Sequence, residues 1–193
     1  MRRVLNVGGG NRNIPLPPCY LGWQHDLLDI DPDVCPDVLC DAREMLLLES
    51  ALYDSVYCSH NLEHYLWHEV PRVLEGFRHV LRRDGFVNII VPDLGAVMRE
   101  TIERGLDIED VLYVSPAGPI TVRDVIYGYG VEIERSGNDY FAHKTGFTEK
   151  SLSNVLHQCG FPFVYIAAGG REVGALSFIA EPQPHAKALL GIP

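Results

Sequence analysis

The chain reads as an α/β domain: a three-layer sandwich around a mostly parallel sheet, with an antiparallel hairpin strand at the C-terminal end. Three observations carry that expectation. Short apolar runs alternate with helical patterns over most of the 193 residues. Three glycines, Gly8, Gly9 and Gly10, break the first run at its end, as strands do where open α/β sheets bind ligands. The last two runs are separated only by a glycine-rich turn, which makes them a hairpin.

Composition sets the bounds. The length suits one domain, 1–193, and 47% hydrophobic residues are enough for a full core. Acidic residues outnumber basic ones by 26 to 16, for a formal charge of −10, and the basic residues form no stripe. A nucleic-acid partner is therefore disfavoured. Neither a leader-length apolar segment nor a membrane-spanning run is present, and the five cysteines are odd in number and unpatterned. The expectation is a cytoplasmic protein with reduced thiols.

Taken in order, LNV at 5–7 is the first strand and enters the glycine turn. The next 16 residues contain Pro15, Pro17 and Pro18, so a full crossover helix does not fit and a loop with one helical turn is expected. LLDIDP at 27–32 gives a second strand with Asp29 and Asp31 at its end. PDVLCDA gives a shorter third strand ending near Asp41, and 43–51 is a short helix or irregular. YDSVYCSH at 53–60 is a strand by its aromatic and β-branched content.

Leu62, Leu66, Val70, Val73, Leu74, Phe77 and Leu81 recur at helical spacing. Pro71 is expected to break that helix in two, and Asp84-Gly85 to stop it. FVNIIVPDL at 86–94 is the most apolar strand. AVMRETIERG reads as a helix stopped by Gly105, and the remainder to Lys144 holds short pieces and many tyrosines. Residues 94–145 are too long for a plain connection and read as an inserted lid over the strand ends. A structural cap or a homodimer contact is the competing role for this segment. Thr148 caps a helix over 148–159, and strands at 161–168 and 175–181 close the chain, joined around Gly169, Gly170 and Gly174.

In a parallel sheet the glycine turn, Asp29, Asp41 and the Ser59-His60 pair all fall on one edge and line one cleft. A carboxylate after the second strand suits a ribose diol, whose hydroxyls it can accept. The ordered set LNVGGGN, LLDIDP, LCDA, YDSVYCSHNLEH and VLRRDGFVNIIVPDL, with HKTGFTEKSLSNVLHQCGF downstream, resembles the class I S-adenosylmethionine-dependent methyltransferases. It is most similar to the compact bacterial branch related to the type 11 methyltransferase domain. The resemblance spans roughly residues 3–181.

The resemblance implies a Rossmann-like sandwich and S-adenosyl-L-methionine as cofactor. Gly8, Gly9 and Gly10 would meet its methionine part, and Asn6 stands where many members carry an acid. Asp29 would hold the ribose, Ile30 would lie against the adenine, and Asp41 and Ala42 would lie at the adenine edge. Ser59 and His60 would close the pocket beneath the methyl group. The implied activity is methyl transfer to a small molecule or a saccharide, the saccharide resting on the branch's usual gene context. His60, His143 and Asp93 are the candidate bases, because they follow a strand, close the lid and follow the fifth strand. Tyr127, Tyr129 and Tyr140 are expected to shape the acceptor site.

Three other readings compete. Dinucleotide binding fails because the third glycine of G-x-G-x-x-G would fall at Asn13 and the receiving helix is absent. His60-Asn61-Leu62-Glu63-His64 spells H-x-x-E-H, which on a helix would be the inverted zinc-peptidase motif of a metallohydrolase. His60 follows directly on a strand, so the expectation is that this motif holds no metal. A cofactor-binding protein without catalysis is the third reading.

Overall fold

The computed structural model describes residues 1–192. Nine strands and six α-helices occur among them. The strands are β1 (Arg3–Val7), β2 (Gln24–Asp29), β3 (Val38–Leu39), β4 (Tyr53–Ser59), β5 (Leu81–Pro92), β6 (Val111–Ser115), β7 (Gly118–Thr121), β8 (Phe163–Gly169) and β9 (Glu172–Phe178). The helices are α1 (Val70–Val80), α2 (Leu94–Glu103), α3 (Val122–Tyr127), α4 (Gly130–Ser136), α5 (Glu149–Gln158) and α6 (Pro184–Leu190). No helix of the described residues is long and apolar enough to cross a membrane.

Seven strands form one sheet in the order β3-β2-β1-β4-β5-β9-β8. β3, β2, β1, β4 and β5 run parallel, whereas β9 runs antiparallel to both β5 and β8. The sandwich expected from the sequence is therefore present, with one change in detail. The antiparallel strand sits inside the sheet, between β5 and β8, and β8 forms the edge. Gly174 pairs with Ile90 and Ala167 within β9, and Gly169 pairs with Glu172, so the turn is Gly170-Arg171 alone.

Alternation along β1 builds the layers. Leu5 and Val7 face a core with α1 and α5, through Val73, Leu74, Phe77, Leu152 and Leu156. Val4 faces the opposite side, where Tyr20, Phe86 and Phe178 pack with Trp23 and Leu190. That second layer is the proline-rich 11–23 loop and α6 rather than a row of helices. Pro15, Pro17 and Pro18 leave this loop a single 3-10 turn, Pro18–Tyr20. Burial of each large side chain in these layers stabilises by about 1.5–3 kcal/mol.

Two boundaries differ from the sequence pattern. Pro71 lies in the first turn of α1, where its missing N–H has no partner to lose, so it starts the helix instead of breaking one. Residues before it form only a 3-10 turn, Leu62–His64. The helix then ends at Val80, and β5 begins at Leu81, before Asp84-Gly85. The third strand is only two residues long, and 42–47 is a 3-10 helix capped by Asp41. α6 has no counterpart in the sequence reading.

The segment 94–145 leaves and rejoins the sheet at one point. The Leu94 amide donates to the Phe147 carbonyl (2.9 Å), beside a parallel bridge between Asp93 and Phe147. Within it, β6 and β7 pair, and Val97, Leu112, Ile120, Val122 and Val125 form a small core of their own.

Candidate functional site

The C-terminal ends of β1, β2 and β3, with the residues after β4, open into a cleft. Val7, Gly8, Asp29, Ile30, Asp41 and Ala42 line it, all from the strand ends that the sequence placed on one edge. Gly8 turns at φ +66° and its amide donates to the Leu28 carbonyl (2.8 Å), which seats the turn against β2. A Cβ there would stand 2.0 Å from Asn61 Nδ2, so the turn and Asn61 are in direct apposition. Gly10 turns at φ +60°, and its amide donates to Asp29 Oδ2 (3.1 Å). Asp29 is 8% exposed, and its Oδ1 accepts from the Asp31 amide at 3.1 Å. Each carboxylate oxygen thus keeps a lone pair for a ligand while backbone amides fix the group's orientation.

Asn6, Gly9 and Gly10 support the cleft without lining it. Asn6 is buried, and a Cβ on Gly9 would meet its Nδ2 at 2.2 Å, so Asn6 braces the turn from beneath. Asp41 is engaged by its neighbour: its oxygens accept from the Arg43 amide, Nε and Nη2 at 2.6–3.1 Å. Burial raises the Asp41 carboxyl, but the Arg43 hydrogen bonds outweigh it and hold the pKa below the usual aspartate value. Arg43 continues to Glu69 (Nη1–Oε1 2.6 Å), and this acid–arginine–acid chain forms one wall.

Several wall residues were not found in the sequence. Asn61, Tyr65, Arg43 and Glu69 line the cleft, with Asp139 and Lys144 from the insert. Asn61 Oδ1 accepts from Tyr65 Oη at 3.1 Å. Asn61 sits inside H-N-L-E-H, where the metal pattern drew attention to its neighbours instead.

A second cavity lies between the insert and the ends of β5, β8 and β9. His60, Tyr113, Tyr129, His143, Arg171 and Glu172 are among its lining residues. His60 therefore faces this cavity and does not line the cofactor-type cleft, and Ser59 lines neither. The reason is local: the chain leaves β4 with His60 at φ +50°, which swings its side chain toward β9. There Nε2 meets Glu172 Oε1 at 3.1 Å and Nδ1 lies 3.6 Å from Glu63 Oε1. The hydrogen bond to Glu172, then the nearby Glu63 carboxylate, pushes the His60 pKa up to about 10, so a charged ring stands beside Glu63.

Asp93 lines neither cavity. Its Oδ1 accepts from the Gly95 and Ala96 amides at 2.9 and 3.2 Å, which makes it the cap of α2. Tyr127 is exposed and outside both cavities, Tyr129 lines the second, and Tyr140 lines the first.

His143 faces the second cavity with one nitrogen committed. Nδ1 lies 2.9 Å from the Val125 carbonyl, an acceptor only, so Nδ1 carries the proton and Nε2 a lone pair. Burial lowers the His143 pKa, keeping that lone pair available at neutral pH. Behind it is Glu63, 1% exposed, whose carboxylate oxygens have no hydrogen-bond partner among the described residues.

No protein-family model matches the chain, and no curated protein matches it. Solved structures do. A SAM-dependent methyltransferase from Archaeoglobus fulgidus superposes with a TM-score of 0.57 at 18% identity, covering 91% of this chain and 85% of that one. A SAM-dependent methyltransferase from Methanosarcina mazei gives 0.55 at 14%, covering 93% of each chain. The 1,6-didemethyltoxoflavin-N1-methyltransferase of Burkholderia thailandensis, solved with bound 1,6-didemethyltoxoflavin and S-adenosylhomocysteine, gives 0.52 at 18%, covering 91% of this chain and 69% of that one. With sheet order and strand directions on the page, these likenesses identify the fold: the chain has that of the class I S-adenosylmethionine-dependent methyltransferases.

Proposed function

We propose that the protein is an S-adenosyl-L-methionine-dependent methyltransferase acting on a small-molecule acceptor. The observation that carries this reading is the cleft at the ends of β1–β4, with Asp29 fixed by two backbone amides beside a glycine turn. The donor set fits the cofactor. Asp29 has lone pairs for two ribose hydroxyls, Ile30 and Ala42 offer apolar walls for a base, and Gly8 brings bare backbone to the amino-acid end. The Burkholderia relative's bound S-adenosylhomocysteine supports the same choice of cofactor.

The cofactor supplies a methyl group on a sulfonium, which leaves sulfur as a neutral thioether when the acceptor's lone pair forms the new bond. For the protein, the task is to hold donor and acceptor in line, which lowers such barriers by several kcal/mol. The cofactor is held by Asp29 and the glycine turn. The acceptor sits in the second cavity, framed by Tyr113, Tyr129 and His60, and His143 Nε2 is the lone pair that faces it. The insert 94–145 acts as the lid that completes both walls, through Tyr140 and Lys144 on one side and Tyr129 and His143 on the other. A saccharide is one acceptor class that this cavity admits, with Tyr113 and Tyr129 for its ring faces and Arg171 and Glu172 for its hydroxyls.

Calorimetric titration of the purified chain with S-adenosylhomocysteine tests the reading. Micromolar binding is expected, and incubation with labelled cofactor and an acceptor panel should yield methylated product. No heat and no thermal shift with either form of the cofactor would overturn it.

A further inference from the structure

The structure assigns a divalent transition-metal site to Glu63, His64 and His143, at the boundary between the two cavities. One ligand atom from each residue lies within 4.8 Å of the other two. Glu63 and His64 belong to the H-x-x-E-H motif, but this is not the ligand set of its helical reading, which needs His60 and His64 on one α-helical face. Residues 62–64 form a 3-10 turn, His60 pairs with Glu172 instead, and the third ligand comes from the insert, 79 positions after His64 by subtraction of the residue numbers.

Three features point to a cation. The first is Glu63. A carboxylate 1% exposed whose oxygens accept no hydrogen bond is incompletely satisfied, even with the charged His60 ring beside it. The nearest nitrogens, His60 Nδ1 at 3.6 Å and His143 Nε2 at 4.0 Å, stand beyond good hydrogen-bond distance.

The second is the anchoring of the histidines. His143 Nδ1 donates to the Val125 carbonyl (2.9 Å) and His64 Nδ1 to the Ala142 carbonyl (3.0 Å). Metal-bound histidines characteristically donate their other ring N–H to a carbonyl or carboxylate, which fixes the tautomer and orients the ligating nitrogen. Both histidines therefore hold Nε2 as the ligating atom, and both carbonyls lie on the insert.

The third is His64 Nε2, which lies 3.2 Å from the His60 carbonyl oxygen. With the proton on Nδ1, two lone-pair carriers face each other there. A proton on Nε2 resolves the contact as a hydrogen bond, and a metal on Nε2 would resolve it by drawing the ring toward Glu63. Tetrahedral zinc, with bonds of about 2.0–2.1 Å, needs ligand atoms roughly 3.3 Å apart. The 4.0 Å between His143 and Glu63 requires only a small contraction. Two imidazoles and one carboxylate suit zinc, manganese, iron or cobalt in the divalent state rather than magnesium or calcium.

Three protein ligands leave a coordination position open, as catalytic sites do. His143 lines the second cavity and His64 the first, so that position lies between the two. An acceptor oxygen bound there would be polarised and more readily deprotonated, with the metal taking over the place of the free His143 Nε2 lone pair. This use rests on the methyltransferase reading, whereas the site itself rests only on the residues.

The test is metal binding by the full chain, stripped with a chelator and desalted. Zinc titrated calorimetrically should bind at one equivalent with micromolar or tighter affinity, and cobalt(II) should give the visible absorption of a low-coordinate site. Glu63→Gln and His143→Ala should each weaken binding by at least tenfold, while His68→Ala, on an exposed neighbour, should not. Circular dichroism and melting of each variant separate lost ligation from lost fold. Absence of zinc or cobalt binding in the wild type would overturn the proposal, and so would binding that His143→Ala leaves unchanged in a folded protein. Titration of His64 and His143 by protons alone, with no metal effect, would mean that Glu63 is balanced by protons. Cofactor binding is measured in separate titrations, so the failure of one proposal is distinguishable from the failure of the other.

Discussion

The amide of Gly10 donates to Oδ2 of Asp29 across 3.1 Å, linking the turn after β1 to the end of β2. The same hydrogen bond that orders the turn also aims the carboxylate, so the two are one device. Asp29→Ala should weaken binding of S-adenosylhomocysteine by about 1.5–3 kcal/mol, roughly 10- to 150-fold, the range for hydrogen bonds to charged groups. Asp31→Ala removes only the cap of the adjacent 3-10 turn and should bind like wild type. Calorimetry on the pair decides, and equal affinities for the two variants would remove Asp29 from the site.

Gly8 and Gly10 have similar backbone angles but different surroundings. A methyl group at Gly10 meets nothing within 4 Å, whereas one at Gly8 meets Asn61 Nδ2 at 2.0 Å. Gly10→Ala should cost only the left-handed strain of about 1–2 kcal/mol. Gly8→Ala should cost more, because Asn61 must also move, and should lose cofactor binding. Chemical denaturation and ligand titration of both variants check the order, and a Gly8→Ala protein as stable as Gly10→Ala would contradict it.

The strand ends were legible because each ended in a residue type with a physical reason to be there. Glycines allowed the turn, and Asp29 and Asp41 stood after apolar runs. The region after β4 was not legible, because its helical spacing of apolar residues extended across Pro71 and concealed that Pro71 begins α1. Asn61 was missed as a cleft residue for the same reason: the stretch after His60 was read as helix, and the chain makes a 3-10 turn. The interior position of β9 was also hidden. β8 and β9 are similar in composition, and which of the two pairs with β5 depends on contacts more than 80 residues apart in sequence.

Within the insert, Asp124 closes a capping box with Thr121 and accepts from the Gly130 amide at 3.0 Å. Burial raises its carboxyl, but the Thr121 hydroxyl and the Gly130 and Thr121 amides outweigh it, and the pKa lies below 3.8. A depressed folded value means stability that is present above the unfolded pKa and lost as pH falls through the folded one. Asp124→Asn should therefore be less stable than wild type at neutral pH, and the difference should shrink in acid. Denaturation from neutral to about pH 3 measures it, and a difference independent of pH would show that the ionised carboxylate contributes nothing.

The tip of the insert should matter to transfer more than to cofactor binding. Replacing residues 127–140 with a short Gly-Ser linker removes Tyr129 from the second cavity and Tyr140 from the edge of the first. Cofactor affinity should fall by no more than a few-fold, while methyl transfer is abolished. Limited proteolysis of the wild type should cut within 94–145, more slowly with cofactor and acceptor present. Equal resistance with and without ligands, together with a change of oligomeric state on replacement, would make this segment a subunit contact.

The hydrogen bond between Leu94 and Phe147 gives the insert one narrow base. A segment whose ends already touch can be lengthened, shortened or exchanged without pulling on the strands it leaves, and the entropy of closing it changes only with the logarithm of its length. The two halves of the molecule are thereby free to diverge at different rates. The strand ends that hold Asp29 are locked into sheet register, while everything that the insert contributes can be rewritten as one cassette. In laboratory evolution, libraries confined to this cassette should change what is bound in the second cavity and leave the sheet untouched.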